Sequence, residues 1–186
     1  MRIISGNFKG KKLNLPKDKS TRPLKDMVKE SIFNVIEHSP LLKYKIKNSK
    51  ILDLFSGTGS FGLECISRGA KEVIFCENHL NAIKILENNI SNLSCNKVTK
   101  IMSSDVFTSF ELGKFKENNF EIIFLDPPYK ETKIYDLLLN IKKNNILKED
   151  GMIILHRHKK EKDIFPDEVK TLDVRIYGLS KIIFGN

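Results

Sequence analysis

The sequence predicts an α/β fold: a mostly parallel sheet with helices on both faces and an antiparallel hairpin at its C-terminal end. Three observations carry that expectation. Short runs rich in Ile, Val, Leu and Phe alternate with segments of helical spacing from residue 50 to residue 157. Those runs are apolar at consecutive positions, as strands covered on both faces are. The last two runs, residues 170–178 and 180–185, lie a tight turn apart and read as a closing hairpin.

Taken in order, RIISGNFKGKKLNL (residues 2–15) alternates weakly, is broken by Gly6 and Gly10, and reads as a short β-hairpin. Residues 20–38 read as a helix. Pro23 suits its first turn, Thr21 or Ser20 its cap, and Leu24, Met27, Val28, Ile32, Val35 and Ile36 recur at helical spacing. A polar connection follows. Strands are expected at 50–55, 72–77, 98–105, 120–126 and 151–157, with helices at 62–69, 81–93 and 134–147. Gly69 ends the first of these helices. The organisation is a basic N-terminal extension, residues 1–48, and a ligand-binding domain, residues 49–186.

The 186 residues and 40% hydrophobic content suit one domain with a small extension. No apolar stretch approaches the ~18–20 residues of a membrane span, and the opening MRIISGNFKG lacks the apolar core of a signal peptide. Cys65, Cys76 and Cys95 are odd in number and far apart, which fits buried thiols in a reducing cytoplasm. The net charge is +9, from 27 Lys and 5 Arg against 23 acids. Lys, Asn and Ile are all abundant, as an AT-rich coding bias would make them. The distribution says more: residues 1–50 hold 13 basic and 4 acidic residues, and residues 51–186 hold 19 of each. A basic segment beside a neutral domain points to a polyanionic partner. Lys9, Lys11, Lys12 and Arg22 are the candidate phosphate contacts.

Two motifs fall at the carboxyl ends of strands, where open α/β sheets bind ligands. The first is DLFSGTGSFG, residues 53–62. Gly57, Gly59 and Gly62 match G-x-G-x-x-G after a strand and before a helix, where glycines permit close backbone approach to a ligand. Glu77 ends the next strand, 20 residues beyond Gly57, and a carboxylate there can accept from both hydroxyls of a ribose. These residues point to an adenosine-containing cofactor, with NAD as a rival. Asp105, at the end of the third strand, either bonds an adenine amine or caps the following helix.

The second motif is DPPY, residues 126–129. The prolines fix φ and remove N–H donors, so this turn ends the strand rigidly. An Asp126 oxygen and the Pro127 carbonyl can accept from one planar –NH₂ group, and Tyr129 can stack on the ring that bears it. That combination suits alkylation of an exocyclic amine. Its lone pair is conjugated into the ring, and acceptors on its hydrogens help localise the pair and hold it in line.

With Glu77 between them, these two motifs resemble those of class I S-adenosylmethionine-dependent methyltransferases that act on amino groups. The fold implied is a Rossmann-like seven-stranded sheet. RIISGNFKGKKLNLP, TRPLKDMVKESIFNVI, DLFSGTGSFGLE and FLDPPY together resemble the RsmD family, over nearly the whole chain. That resemblance implies methylation of the N2 amine of guanine 966 in 16S ribosomal RNA, with S-adenosylhomocysteine as the other product and no metal. S-adenosylmethionine would sit on Asp53, Phe55, Gly57, Gly59, Glu77 and Asn78. Asp105 would approach its adenine, and Val106 and Asp126 would complete the set. Asp126, Pro127 and Tyr129 would hold the target guanine. The implied partner is 16S RNA or the assembling small subunit, met by a cytoplasmic monomer. Leu24 replaces a usual threonine, Met27 a usual basic residue, and His156 an acid found in many members. His156 itself reads as a surface histidine at a strand end, and His38, His79 and His158 have no metal-ligand spacing. The rivals are an N6-adenine methyltransferase, a release-factor glutamine methyltransferase, an NAD oxidoreductase and a non-enzymatic RNA-binding module.

Overall fold

The computed structural model describes residues 1–16, 24, 26–116 and 118–186. Its elements are α1 (Asp26–His38), β1 (Lys50–Leu54), α2 (Ser60–Ser67), β2 (Glu72–Glu77), α3 (Leu80–Asn92), β3 (Thr99–Ser103), α4 (Val106–Glu111), β4 (Phe120–Leu125), α5 (Ile134–Lys143), β5 (Leu147–His158), β6 (Thr171–Tyr177) and β7 (Ser180–Gly185). The strands form one seven-stranded sheet in the order β3-β2-β1-β4-β5-β7-β6. β1 to β5 pair in parallel, and β7 runs antiparallel between β5 and β6. The sequence-based strands and the closing hairpin are all present.

Successive side chains of a strand point to opposite faces, and the core divides accordingly. Ile51, Val73, Phe75, Ile122, Phe124 and Ile154 pack on one face with α1, α2 and α3. Leu52, Leu54, Ile74, Ile123, Leu125 and Leu155 pack on the other with α4 and α5. Phe124 stacks on Phe61 at 4.0 Å, and Phe61 on Phe33 at 5.2 Å, so an aromatic column runs from β4 through α2 to α1. The N-terminal helix is therefore part of the covering of the sheet.

The expected N-terminal hairpin is a narrow loop closed by a single antiparallel bridge, Arg2 to Lys12. Backbone bonds cross the loop from Ile3 N–H to the Lys11 carbonyl at 2.9 Å, from Gly10 N–H to the Ile3 carbonyl at 2.9 Å and from Leu13 N–H to the Met1 carbonyl at 3.1 Å. Other donors reach beyond it: Ile4 and Ser5 N–H donate to the Glu64 carboxylate of α2 at 2.7 and 2.9 Å, and Asn14 N–H to Asn89 Oδ1 of α3 at 2.8 Å. Lys29 Nζ, fully buried, donates to the Arg2 carbonyl at 2.8 Å and lies 3.6 Å from Glu64 Oε2. Burial pushes the Lys29 amine below its ordinary pKa, and the Glu64 charge opposes that shift.

α1 begins at Asp26, two residues beyond the non-helical Leu24, and the expected Pro23, Thr21 and Ser20 signals lie outside the described residues. α5 stops at Lys143, short of residue 147, because Asn145 takes a left-handed conformation (φ 50°) that ends the helix. α4 is an element that periodicity did not reveal; six residues are too few to show a helical repeat.

Candidate active site

Strand register gathers the two motifs. Leu54 of β1 lies beside Cys76 of β2 and Leu125 of β4, and Leu125 beside Leu155 of β5. The next residue on each strand is Phe55, Glu77, Asp126 and His156. These therefore stand in a row at the carboxyl edge of the sheet, where the strand order reverses and ligands bind. A cavity of about 460 Å³ opens there, lined by residues of both motifs, Met1 and Leu24 from the N-terminal segment, and His156 and Ser180 from the C-terminal strands.

Phe55 turns the chain out of β1 in a left-handed conformation (φ 58°), a strained choice for an aromatic residue. The glycines that follow do different work. A Cβ on Gly57 would meet nothing within 4 Å, so its bare backbone borders open space in the cavity wall. A Cβ on Gly59 would lie 2.4 Å from Leu86 Cδ1, and one on Gly62 2.3 Å from the Phe75 ring. Those two let α2 approach α3 and the sheet. Asp53, fully buried beneath the loop, accepts from Gly62 N–H at 3.0 Å. Burial holds its carboxyl well above the usual carboxylate range against the Gly62 bond, and the charges of Asp126 and Glu77 raise it further.

Glu77 ties the loop down. Its Oε2 accepts from Gly57 N–H at 2.7 Å, and Oε1 from the N–H groups of Asn78 and His79 at 3.0 and 2.8 Å. A carboxylate has about four acceptor positions, so one remains for a ligand hydroxyl rather than the two anticipated for a ribose diol. Asp105 is the N-cap of α4, with Oδ1 accepting from Thr108 N–H at 3.0 Å and Oδ2 3.4 Å from the Asn78 amide. Of the sequence-predicted cofactor residues, Asp53, Phe55, Gly57, Glu77, Asn78 and Asp126 line the cavity; Gly59, Asp105 and Val106 do not.

The Asp-Pro-Pro-Tyr turn leaves β4 with Asp126 N–H donating to the Leu54 carbonyl at 3.3 Å. Asp126, Pro127 and Tyr129 all line the cavity. Two residues not assigned to the site from sequence hold this turn. His156 is buried in β5, not on the surface as expected, and its Nδ1 lies 2.7 Å from Asp126 Oδ1. Arg157, also buried, donates through Nη1 to the Pro128 carbonyl at 3.1 Å, through Nη2 to the Glu131 carbonyl at 2.9 Å and through Nε to Asp163 at 2.9 Å. Among the described residues no donor meets the Pro127 carbonyl. The signal for His156 was positional: a polar residue at the level where the neighbouring parallel strand ends. Of the basic candidates, Lys9, Lys11 and Lys12 are exposed on the N-terminal loop, and Arg22 lies outside the described residues.

Three carboxylates, Asp53, Glu77 and Asp126, line the cavity, and no described Lys or Arg does, although the chain as a whole is strongly basic. Ser56 Oγ, Ser60 Oγ and His156 Nε2 are buried in its wall with no partner among the described residues. Buried polar atoms are normally paired, so these three are candidate contacts for a polar ligand or for water.

The strand order and a cavity joining a glycine loop to an Asp-Pro-Pro-Tyr turn define a class I methyltransferase. The family described as Conserved hypothetical protein 95 matches residues 1–186, and the chain belongs to it; this is the RsmD family. YlbH of Bacillus subtilis, named as a candidate rRNA methyltransferase, is 37% identical over 185 residues, covering 98% of this chain and 96% of that one. The ribosomal RNA small subunit methyltransferase D of Haemophilus influenzae is 31% identical over 179 residues, covering 96% and 90%. Among solved structures, the methyltransferase candidate yhhF of Escherichia coli superposes with a TM-score of 0.82 at 22% identity, over 100% of this chain and 96% of that one, and shares the fold.

Proposed function

We propose that this protein transfers a methyl group from S-adenosylmethionine to the exocyclic N2 amine of a guanine in 16S ribosomal RNA. The observation that carries this reading is one cavity, lined by carboxylates and by no described lysine or arginine, that ends at the Asp-Pro-Pro-Tyr turn. The carboxylates of Glu77 and Asp126 favour a cationic ligand such as a sulfonium, whereas the pyrophosphate of NAD would meet repulsion. Ser56, Ser60, the Gly57 backbone and the remaining acceptor position of Glu77 fit the polar groups of an amino-acid nucleoside. When bound there, S-adenosylmethionine supplies an electrophilic methyl carbon.

The residues of the chain do the rest. His156 and Arg157 hold the turn, so that the free oxygen of Asp126 and the Pro127 carbonyl are preset as acceptors for the two amine hydrogens. Holding a weak nucleophile in line in this way supplies about 7–11 kcal/mol of the barrier in favourable cases. As the new N–C bond forms, the amine becomes cationic, and Asp126 stabilises that charge and accepts a proton. Tyr129, in the cavity wall beside the turn, packs on the base in this reading. The base must be exposed or flipped from its stack to reach this depth.

Residues 1–48 supply RNA contacts and residues 49–186 the chemistry. Met1 and Leu24 line the cavity, and the exposed Lys9, Lys11 and Lys12 share the loop that Met1 begins. The relatives named as small-subunit rRNA methyltransferases support the substrate class. We further read the protein as a cytoplasmic monomer; among the described residues no helix is long and apolar enough to cross a membrane. The test is mass mapping of methylated nucleosides in 16S RNA from a strain lacking the protein, with the purified enzyme added back. Loss and restoration of one N2-methylguanosine is expected, and an unchanged map would refute the assignment.

A further inference from the structure

We propose that His156 sets the base preference of the site, its Nε2 accepting the N1–H of guanine next to the N2 amine that reacts. The inference rests on the guanine reading above and adds the group that distinguishes guanine from a purine with a bare N1.

The argument begins at the 2.7 Å contact between His156 Nδ1 and Asp126 Oδ1. A carboxylate is an acceptor only, so the shared proton is on Nδ1. In the neutral ring this leaves Nε2 as a lone pair, and the tautomer is set by the partner of the other nitrogen. Nε2 is buried, lacks a partner among the described residues, and belongs to a ring that lines the cavity. The ring has little room to turn. Its backbone is paired with Ile182 of β7, Tyr129 meets it edge-on at 6.4 Å between centroids, and the residue is 6% exposed.

The Asp126–His156 pair thus offers a fixed row of acceptors: the second carboxylate oxygen, and Nε2 across the imidazole. On the guanine edge, the N2 amine donates and the adjacent N1–H donates. On adenine, the N6 amine donates but the adjacent N1 is a lone pair. A row of acceptors matches the first edge and opposes the second. A site built to bond a donor discriminates strongly against an analogue that lacks it, because its own buried group is left unmet.

The experiment uses full-length protein and 16S RNA, free or assembled into small-subunit particles, in which the methylated guanine is retained or replaced by 2-aminopurine. That base keeps the 2-amine but has a lone pair at N1. The rate ratio of guanine to 2-aminopurine is compared between the unaltered enzyme and His156→Ala, with S-adenosylhomocysteine titration checking that each protein is intact. A fall in the ratio of roughly tenfold is expected, arising mainly from the guanine rate, with partial recovery in His156→Gln, whose amide oxygen can accept. An unchanged ratio overturns the inference. If His156→Ala fails to fold, ¹⁵N-histidine spectra of the unaltered protein decide. A bare Nε2 that shifts when the guanine RNA binds is expected; a protonated Nε2, or one indifferent to RNA, overturns it. Absence of any guanine N2 methylation by the unaltered enzyme would sink the functional reading itself, whereas guanine methylation with an unaltered ratio sinks this inference alone.

Discussion

Arg157 donates a hydrogen bond from Nη1 to the carbonyl of Pro128, 3.1 Å away and 29 residues earlier in the chain. The same buried guanidinium meets Glu131 and Asp163, so one side chain fastens the Asp-Pro-Pro-Tyr turn to β5. Among the described residues, Asp163 retains only Lys181, at 3.8 Å, if the guanidinium is removed. Arg157→Ala should therefore lose about 3–5 kcal/mol of stability, the range for breaking a buried ion pair. Arg157→Lys, which keeps the charge but not the fork, should fold and lower kcat more than cofactor affinity. Denaturant unfolding and steady-state kinetics measure the two effects; a lysine variant with full kcat would remove Arg157 from the positioning of the turn.

Glu64 and Lys29 form a second buried pair, but their losses should be unequal. Glu64→Ala strips acceptors from Ile4, Ser5 and Arg68 and leaves the Lys29 charge buried, so about 3–5 kcal/mol should be lost. Lys29→Met leaves Glu64 its backbone and Arg68 partners and should cost far less. The pH dependence follows in sign. The folded pKa of Lys29 is lowered below 10.5, so the native state releases this proton first and stability rises with pH between the folded value and 10.5. Lys29→Met should lack that rise, which then appears in the difference between the two stability curves.

Asp126→Ala should reduce methyl transfer by at least ~10²-fold, the scale of losing one preset group at the reacting centre. The loss should fall on kcat, with S-adenosylhomocysteine affinity largely kept. Near-normal turnover would take Asp126 out of the mechanism.

The two loop glycines should fail differently. Gly57→Ala introduces a methyl into open space at φ 54°. It should cost about 1–2 kcal/mol of stability and weaken S-adenosylhomocysteine binding. Gly59→Ala drives its methyl against Leu86 and should cost about 2–4 kcal/mol by adding overpacking to the same backbone strain. Calorimetric titration beside thermal unfolding separates binding from folding; equal behaviour of the two variants would contradict the assignment of Gly57 to the cavity wall.

Replacing Lys9, Lys11 and Lys12 with alanine should weaken RNA binding and flatten the slope of log K against log salt by up to about 2, at roughly 0.7 for each single-strand phosphate that a lysine no longer neutralises. Cofactor binding should not change. A triple variant with the parental slope would show that the charge of this loop is compositional.

Much of this protein is written in local pattern. Apolar runs mark the strands because a strand buried on both faces needs them at every position. The glycine loop and the Asp-Pro-Pro-Tyr turn are legible because backbone geometry restricts those positions to few residue types. Helix α4 is too short to show a period, and the N-terminal loop forms one bridge in place of an extended ladder because Ile4, Ser5, Phe8 and Asn14 donate to Glu64, Ser67 and Asn89, 59 to 75 residues away, while other donors bond across the loop.

The linear chain thus specifies the strands of the sheet, the longer helices, the two motifs and the sign of the charge on its first fifty residues. Which residues meet is decided by the sheet. Asp126 and His156 are 30 positions apart and become neighbours only because β4 and β5 pair in parallel with Leu125 beside Leu155. The same register, through Leu54, sets the glycine loop against the turn and makes one cavity of two motifs. Periodicity reports which face of its own element a residue occupies. It carries no information about the partner across a ladder, so the burial of His156, Arg157, Lys29 and Glu64, and the acidic character of a cavity in a basic protein, appear only when the strands are in register.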